Sequence, residues 1–473
     1  NIRKGNHGTD KKFIVYASII VYRHNDQLFE NIIYDDDNNL TQFVNYIKQH
    51  ALQLHKKTFY AHNGGKFDLV LLMRDVLAND DSINMSKLIE ANNSIIGLDV
   101  SYKIPKHKTV MKIHFRDSYR LFQSSLDSIT KDLKVECLKG NIDHNLINKD
   151  TFMSYKDMIM PYIHNDGMGL LQCIEKFGSM IYNEFSINIS KCLTLSSLAK
   201  KIYYTKYYPN IKKNLYQLSP VVDDYIRRSY NGGRCECFIL GEIKNFYYYD
   251  FTSLFPYTGT FKLPCGIPYY FKFDLDPIQK VLDCALHKDK LSFLRVLVKG
   301  NKSMLNGFKP LHGLHHTQHK TKRFIFPYID TWTEMTLFSP EIVRGMKAGY
   351  EYKVIDGYIF NDNGFMLYDF FKDLFIKKAQ AKANNEKALT FLYKILINSG
   401  YGGFGYNPLN KDSLNLYHKK SKGWTLELNE NRMKSFNRTG KYIFTNSVNN
   451  TQSKDTNVAI AAAITSYARI HLY

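Results

Sequence analysis

Residues 58–77, TFYAHNGGKFDLVLLMRDVL, constrain the fold of this chain more than any other stretch. An apolar run that reads as a strand is followed by a Gly-Gly turn and then by the apolar pattern of a helix. A strand and helix joined this tightly must bury their apolar faces against other layers, which points to an α/β arrangement. Neighbouring segments keep the alternation. Residues 12–22 read as a buried strand, 40–55 as a helix, and MKIHFRDSYRLF as a further strand and turn. The α/β pattern runs to about residue 185, and 186–225 reads as mainly helical and linking. Beyond it, 241–257 is aromatic and strand-like, and 262–360 mixes short strands, loops and the basic stretch GLHHTQHKTKR. Residues 365–399 form the longest helical pattern, 405–445 are polar and loop-rich, and 457–473 predict a final helix.

Charge narrows the range of partners. The 473 residues carry 64 Lys plus Arg against 44 Asp plus Glu, a formal charge of +20 spread along the chain. Cationic grooves gain affinity for phosphate backbones by releasing counterions, so a nucleic acid is the expected partner. Apolar residues make up 44%, enough for a sizeable core. No apolar run approaches the ~20 residues that would span a bilayer, so no membrane partner is expected. The seven cysteines are scattered, and the gap between Cys235 and Cys237 is too short for a zinc knuckle.

Several short segments carry residue types suited to phosphoryl chemistry. In KILINSGYGG, the spacing of Lys394, Asn398 and Tyr401 predicts one helical stripe presenting a cation, an amide and a phenol. A lysine there can meet a triphosphate as a point charge, and a tyrosine can stack under a base or sugar. In FYYYDFTSLFPY, Asp250 ends an apolar run and precedes a turn with Ser253 and Pro256. Magnesium is usually held by one or two carboxylates together with substrate phosphates, and Asp250 suits that task. Phe255 follows where an aromatic ring could wall a sugar pocket. In HNGGKFD, Asp68 is a candidate metal ligand and Phe67 a wedge for an unstacked base. In PYIHND, Tyr162 and Asp166 share a helix face, a carboxylate with a phenol to orient water. SYNGG, with Tyr230, Gly232 and Gly233, allows a close backbone approach to phosphate. Read singly, each also fits a plainer role: a snorkelling lysine, an Asp in a turn, an Asn-Gly turn, a surface helix pair, a linker turn.

The order of these segments is more telling than any one of them. HNGGKFD, PYIHND, SYNGG, DFTSLFP, KILINSGYG and TSYAR together resemble the protein-primed branch of family B DNA polymerases, known from linear plasmids, organelles and viruses. The first two are similar to the second and third exonuclease motifs and SYNGG to the linking YxGG element. DFTSLFP and KILINSGYG resemble polymerase motifs A and B, and Thr465, Ala468 and Arg469 the Tx2AR element.

The resemblance implies an α/β and α+β multidomain chain: an RNase H-like 3′–5′ exonuclease domain over 1–185, linker helices with YxGG over 186–240, and a right-hand polymerase palm and fingers over 241–473. It implies insertions near 262–360, beside a priming protein, and near 408–442. By the same resemblance Asp68 and Asp166 are exonuclease metal ligands, with Tyr162 and Lys139 assisting. His62, Asn63, Phe67, Ser118, Tyr230, Gly232, Gly233, Ser253 and Arg469 contact DNA. Asp250 binds Mg2+, and Lys394, Tyr401, Asn398, Leu254 and Phe255 surround the dNTP. Phe255 stands where the family commonly has a tyrosine gate against ribose, keeping the wall and losing the hydroxyl. A terminal priming protein would be a further partner, and the compartment organellar or plasmid-associated.

Two family motifs find no match: nothing before residue 12 fits DxE, and no DTD follows Arg469. The expectation is a fragment truncated at both ends, with each two-metal site incomplete. Two rival readings stand beside the polymerase: a non-catalytic nucleic-acid-binding relic of a decayed plasmid gene, and a stand-alone exonuclease. The second leaves SYNGG through KILINSGYG without a purpose.

Overall fold

The computed structural model describes residues 15–473 except 36, 91–93, 144–145, 149, 212, 235–240, 243, 246, 248–249, 273–289, 301–310, 316–323, 408–411, 431 and 449–455. The chain forms two compact units: Asn1–Leu198 with Ala381–Leu392 and Leu409–Asn450, and Ala199–Gln380 with Tyr393–Pro408 and Thr451–Tyr473. This division differs from the linear boundaries at 185 and 240, because two later segments fold with the N-terminal part.

In the first unit, strands Thr58–Ala61, Val110–Asp117, Ile95–Lys103 and Ile83–Glu90 lie in that order in one sheet. The first pair is parallel, with Ala61 beside Asp117, and the others are antiparallel. A parallel pair needs a crossover, and HNGGKFD with the helix Asp68–Leu72 begins it. The predicted strand at 12–22 is observed as Ala17–His24, paired with Gln27–Tyr34 through a two-residue turn in which Asn25 and Asp26 both have positive φ. The predicted helix at 40–55 is observed as Asn39–Gln49 and Ala51–Leu54. The longest described helix is Lys156–Phe185, which buries Cys173, Phe177, Ile181 and Phe185 along one stripe. The pattern at 365–399, expected to be the longest, divides into Tyr368–Ala383 and Lys387–Ser399, with Asn385 left-handed between them.

Residues 405–445 are not loop-rich. Strands Asp412–His418, Tyr442–Val448 and Met433–Thr439 form an antiparallel sheet with the helix Gly423–Asn429. Its polar composition hides a buried acid. Glu427 accepts hydrogen bonds from Asn415, Tyr417, Thr445 and Ser447. The opposite face, with Tyr442 and Phe444, joins the core of the N-terminal sheet. There Lys441 donates to the carbonyls of Asp80 and Ile83, and Gly440, at φ +57°, passes so close to Ala78 that a Cβ would lie 2.2 Å from its carbonyl oxygen.

In the second unit, strands Thr333–Phe338, Ser292–Lys299, Glu351–Gly364 and Leu263–Lys272 form one antiparallel sheet in that order. The described part of 262–360, expected as an insertion, therefore supplies this unit's main sheet and the core around Leu294, Val296 and Val298. The helix Val458–Leu472 is buried on all sides from Val458 to Ser466, as its uninterrupted apolar run Val458–Ile464 requires. The short helix Leu254–Thr258 docks on it through Thr258 Oγ1, which donates to the Ile464 carbonyl at 3.0 Å. No described residue between 241 and 253 is in a strand, and 254–258 form a helix, where a strand-like run was expected over 241–257; residues 243, 246 and 248–249 lie outside the described set.

Burial raises the Glu427 carboxyl, but its hydrogen-bond donors outweigh this and hold it below the ordinary glutamate range. A carboxyl lowered in the folded state stabilises fully above its unfolded pKa and loses that contribution as pH falls through the folded value. Glu427→Ala is expected to destabilise by about 1–3 kcal/mol at neutral pH, because four donors lose their acceptor. Chemical denaturation at pH 7 and at acidic pH checks this: the gap between wild type and variant should narrow in acid.

Candidate functional site

The second unit gathers the segments DFTSLFP, KILINSGYG, SYNGG and TSYAR. Asp250 is exposed and makes no hydrogen bond or ion pair with any described residue. Beyond it Ser253 turns the chain through a left-handed conformation, φ +53°, into the helix Leu254–Thr258, where Leu254 is half-buried. Ser253 Oγ donates to Asn398 Oδ1 at 3.5 Å, which joins the two motif-like segments. Lys394 and Asn398 are both exposed on the helix Lys387–Ser399, as their spacing predicts. Tyr401 lies past the end of that helix, and its ring stacks on Phe255, centroids 5.2 Å apart at 29°. Burial first, and the neighbouring Tyr230 next, push the Tyr401 phenol up to about 12, so it is neutral at physiological pH. Gly400 serves packing: a Cβ there would lie 2.6 Å from Phe370 Cε1.

SYNGG lies against both segments. A Cβ on Gly233 would stand 3.0 Å from Phe255 Cζ, and one on Gly405 would stand 2.6 Å from the Tyr230 ring. Arg227, paired with Asp223, donates to the Gly405 carbonyl at 2.9 Å. Arg469 is not on the surface. It is 3% exposed, pairs with Glu341 at 2.9 Å, and donates to the carbonyls of Asn231 and Gly232 at 3.0 and 3.2 Å. Glu341 is itself buried; the cost of its desolvation is outweighed by Arg469 and His312, which hold its carboxyl well below the usual range. The structure thus places Arg469 beneath the SYNGG backbone. Neither Glu341 nor Arg227 was singled out from sequence, because nothing local in SPEIV or DDYIRR marks a partner in a distant segment. Of the basic stretch, His315 meets Asn231 Oδ1 at 2.8 Å, and 316–323 lie outside the described residues.

In the first unit, the parallel strands bring HNGGKFD and RDSYR side by side. Asn63 is left-handed, φ +58°, and Gly65 is required because a Cβ there would lie 1.8 Å from the Ile95 carbonyl oxygen. Phe67 is 48% exposed, free to meet a ligand. Asp68 opens the helix Asp68–Leu72. Although this residue keeps solvent access, surrounding protein raises its carboxyl above the ordinary range, with the charge of Asp117 adding to the effect. Asp117, 2% exposed, accepts the Tyr119 N–H at 3.0 Å; it was not picked out from sequence. His62 lies 3.0 Å from the Ser124 carbonyl through Nε2 and 3.1 Å from Ser118 Oγ through Nδ1. A carbonyl can only accept, so Nε2 carries the proton and, in the neutral ring, Nδ1 accepts from Ser118. Ser118 is fully buried, so its hydroxyl supports His62.

Asp166 and Tyr162 lie on the helix Lys156–Phe185, and Lys139 joins them from a loop. Lys139 Nζ is 3.8 Å from Asp166 Oδ2 and 5.9 Å from the Tyr162 ring centroid. Burial, then Asp166, push the Tyr162 phenol up to about 12. His62 is lowered chiefly by burial and also feels the charges of Asp117 and Lys139, so Asp68, Asp117, His62, Lys139 and Asp166 form one electrostatic neighbourhood. Among the described residues, no three His, Cys, Asp or Glu side chains gather closely enough to hold a metal alone. No described helix is long and apolar enough to cross a membrane.

Comparisons with known proteins identify the family and the fold. The family model described as DNA polymerase type B, organellar and viral, matches residues 49–160 and 154–473. The chain is 28% identical over 437 residues to a probable DNA polymerase of Neurospora intermedia, covering 82% of this chain and 43% of that protein. It is 26% identical over 398 residues to a probable DNA polymerase of Agaricus bitorquis, covering 76% and 46%. Against the DNA-directed DNA polymerase of Enterobacteria phage PRD1 it is 26% identical over 353 residues, covering 74% and 52%. The chain thus spans about half the length of the curated relatives it matches. In fold it is similar to Phi29 DNA polymerase complexed with single-stranded DNA, TM-score 0.62 at 17% identity, covering 96% of this chain and 75% of that one. The ternary complex of Phi29 polymerase with primer-template DNA and incoming nucleotide gives 0.61 at 18%, covering 93% and 70%. The chain belongs to the type B DNA polymerases of organelles and viruses.

Proposed function

We propose that the protein containing this chain carries out template-directed DNA synthesis with an associated 3′–5′ exonuclease, on a protein-primed DNA end. The observation that carries the polymerase reading is the grouping of Asp250, a carboxylate that no described residue engages, with the exposed Lys394–Asn398 helix face and the Phe255–Tyr401 wall inside one unit. DNA as partner is supported by the charge of +20 and by the similar Phi29 polymerase, which is complexed with primer-template DNA in one structure and with single-stranded DNA in another. Protein priming rests on the family resemblance alone.

In the reaction, a primer 3′ hydroxyl attacks the α-phosphate of a dNTP and pyrophosphate leaves. Lys394 would neutralise triphosphate charge, Asn398 would add an amide contact, and Phe255 and Tyr401 would wall and stack the sugar and base. Asp250 fits a magnesium ion held jointly with substrate phosphates, since its carboxylate is exposed and no described residue engages it. Such an ion, when bound, stabilises charge on the attacking and leaving oxygens. In the other unit, Asp68 and Asp166 are the carboxylates suited to a metal. The neutral Tyr162 phenol would orient a water, and Lys139 would hold Asp166 in place. Asn63 and Phe67 would receive an unstacked primer end, with His62 and Ser118 as their support.

Primer extension by the full-length protein tests the first site. Asp250→Asn is expected to reduce incorporation by about a thousandfold or more while primer-template affinity stays within about twofold. Lys394→Ala is expected to raise the dNTP concentration needed for half-maximal extension by about tenfold or more, the loss of a charge-assisted contact. Wild-type extension by Asp250→Asn contradicts the assignment. For the second site, Asp166→Ala should abolish removal of a mispaired 3′ end and spare extension from a paired one; unchanged trimming counts against it.

A further inference from the structure

Gly233 stands where SYNGG meets the helix Leu254–Thr258. Neither Gly232 nor Gly233 has a positive φ, so neither is glycine for the sake of backbone conformation. The two differ in what surrounds them. A Cβ on Gly232 would meet nothing within 4 Å, whereas one on Gly233 would lie 3.0, 3.7 and 3.9 Å from Phe255 Cζ, Cε1 and Cε2. The first of those distances is tighter than ordinary van der Waals contact, so a side chain at 233 would displace the ring. The ring has little freedom to yield, because it stacks on Tyr401 with centroids 5.2 Å apart. The loop cannot simply retreat either: Arg469, buried and paired with Glu341, grips the carbonyls of the two preceding residues, Asn231 and Gly232.

We infer that Gly233 is a specificity-determining residue of the nucleotide pocket: its missing side chain sets where the Phe255 ring stands, and so the choice between deoxyribo- and ribonucleoside triphosphates. The inference rests on the proposed reading of Phe255 as the wall beside the sugar. It gives the second glycine of SYNGG a steric role toward the nucleotide in addition to any contact with DNA. A wall that must exclude a single hydroxyl depends on ring placement to within tenths of an ångström, since close-packed atoms respond to small displacements. The gate and the DNA-side loop are then one mechanical assembly, with Arg469 and Glu341 as positioning residues behind it.

The test uses the full chain with fluorescent dATP and ATP analogues in the presence of magnesium, read as dissociation constants. Gly233→Ala is expected to weaken the dATP analogue by about fivefold or more and to change the dATP-to-ATP preference. Adding Phe255→Leu to Gly233→Ala removes the clash and should return dATP affinity to within about twofold of Phe255→Leu alone. Gly232→Ala should leave the dATP-to-ATP ratio at the wild-type value, whatever it does to DNA binding. Wild-type constants and preference in Gly233→Ala overturn the inference. So does a loss in Gly233→Ala that Phe255→Leu fails to restore, which would mean general disruption of the loop. A wild-type chain that binds neither analogue contradicts the nucleotide-pocket reading itself, an outcome distinct from either.

Discussion

The buried ion pair between Arg469 and Glu341 holds the second unit's functional segments in register. Taking two charges out of water costs several kcal/mol each unless their hydrogen-bonding capacity is filled. Here it is filled. Glu341 also accepts from Ser466 and has His312 Nδ1 at 3.6 Å, while Arg469 spends its remaining donors on the Asn231 and Gly232 carbonyls. The pair thereby ties the final helix, the helix Ser339–Lys347 and SYNGG together. From SYNGG the constraint passes on by contact alone: Tyr230 against Gly405, Gly233 against Phe255, Phe255 on Tyr401. A buried charge pair thus fixes the loop against which Phe255 and Tyr401 are packed.

What was legible in the sequence was local. The strand–turn–helix at 58–77 announced itself because its periodicity and its Asn-Gly-Gly turn lie within one short stretch. Lys394 and Asn398 could be placed on one face because helical spacing alone decides it. The misread elements have physical reasons. The segment after Asp250 continues an aromatic pattern of high strand propensity, yet Ser253 is left-handed and the helix Leu254–Thr258 follows it. Residues 405–445 read as loop because the sheet there turns Asn415, Tyr417, Thr445 and Ser447 toward a buried glutamate, so only the face with Tyr442 and Phe444 is apolar. Lys139 was legible only through the resemblance, and Glu341 not at all, because the value of a buried charge depends on a partner 128 residues away.

Five of the 44 acidic residues of this basic chain show a contrast. Glu341, Glu427 and Asp356 are buried and fully engaged, each with its carboxyl held low by its partners after the cost of burial. These acids maintain the fold. Asp250 is exposed and engaged by no described residue, and Asp68 has its carboxyl raised by the surrounding protein and then by the charge of Asp117. An exposed carboxylate that no described residue engages suits a divalent cation held jointly with a phosphate chain. The same contrast separates Lys394, exposed on its helix, from Lys441, which donates to two backbone carbonyls.

The central claim is that Asp250 and Lys394 act on one bound nucleotide. A double-mutant cycle on magnesium–dNTP affinity, with Asp250→Asn, Lys394→Ala and the pair combined, measures this directly. Convergence on a single triphosphate predicts a coupling energy of about 1 kcal/mol or more. Losses that add to within about 0.3 kcal/mol would place the two side chains on separate ligands and contradict the account.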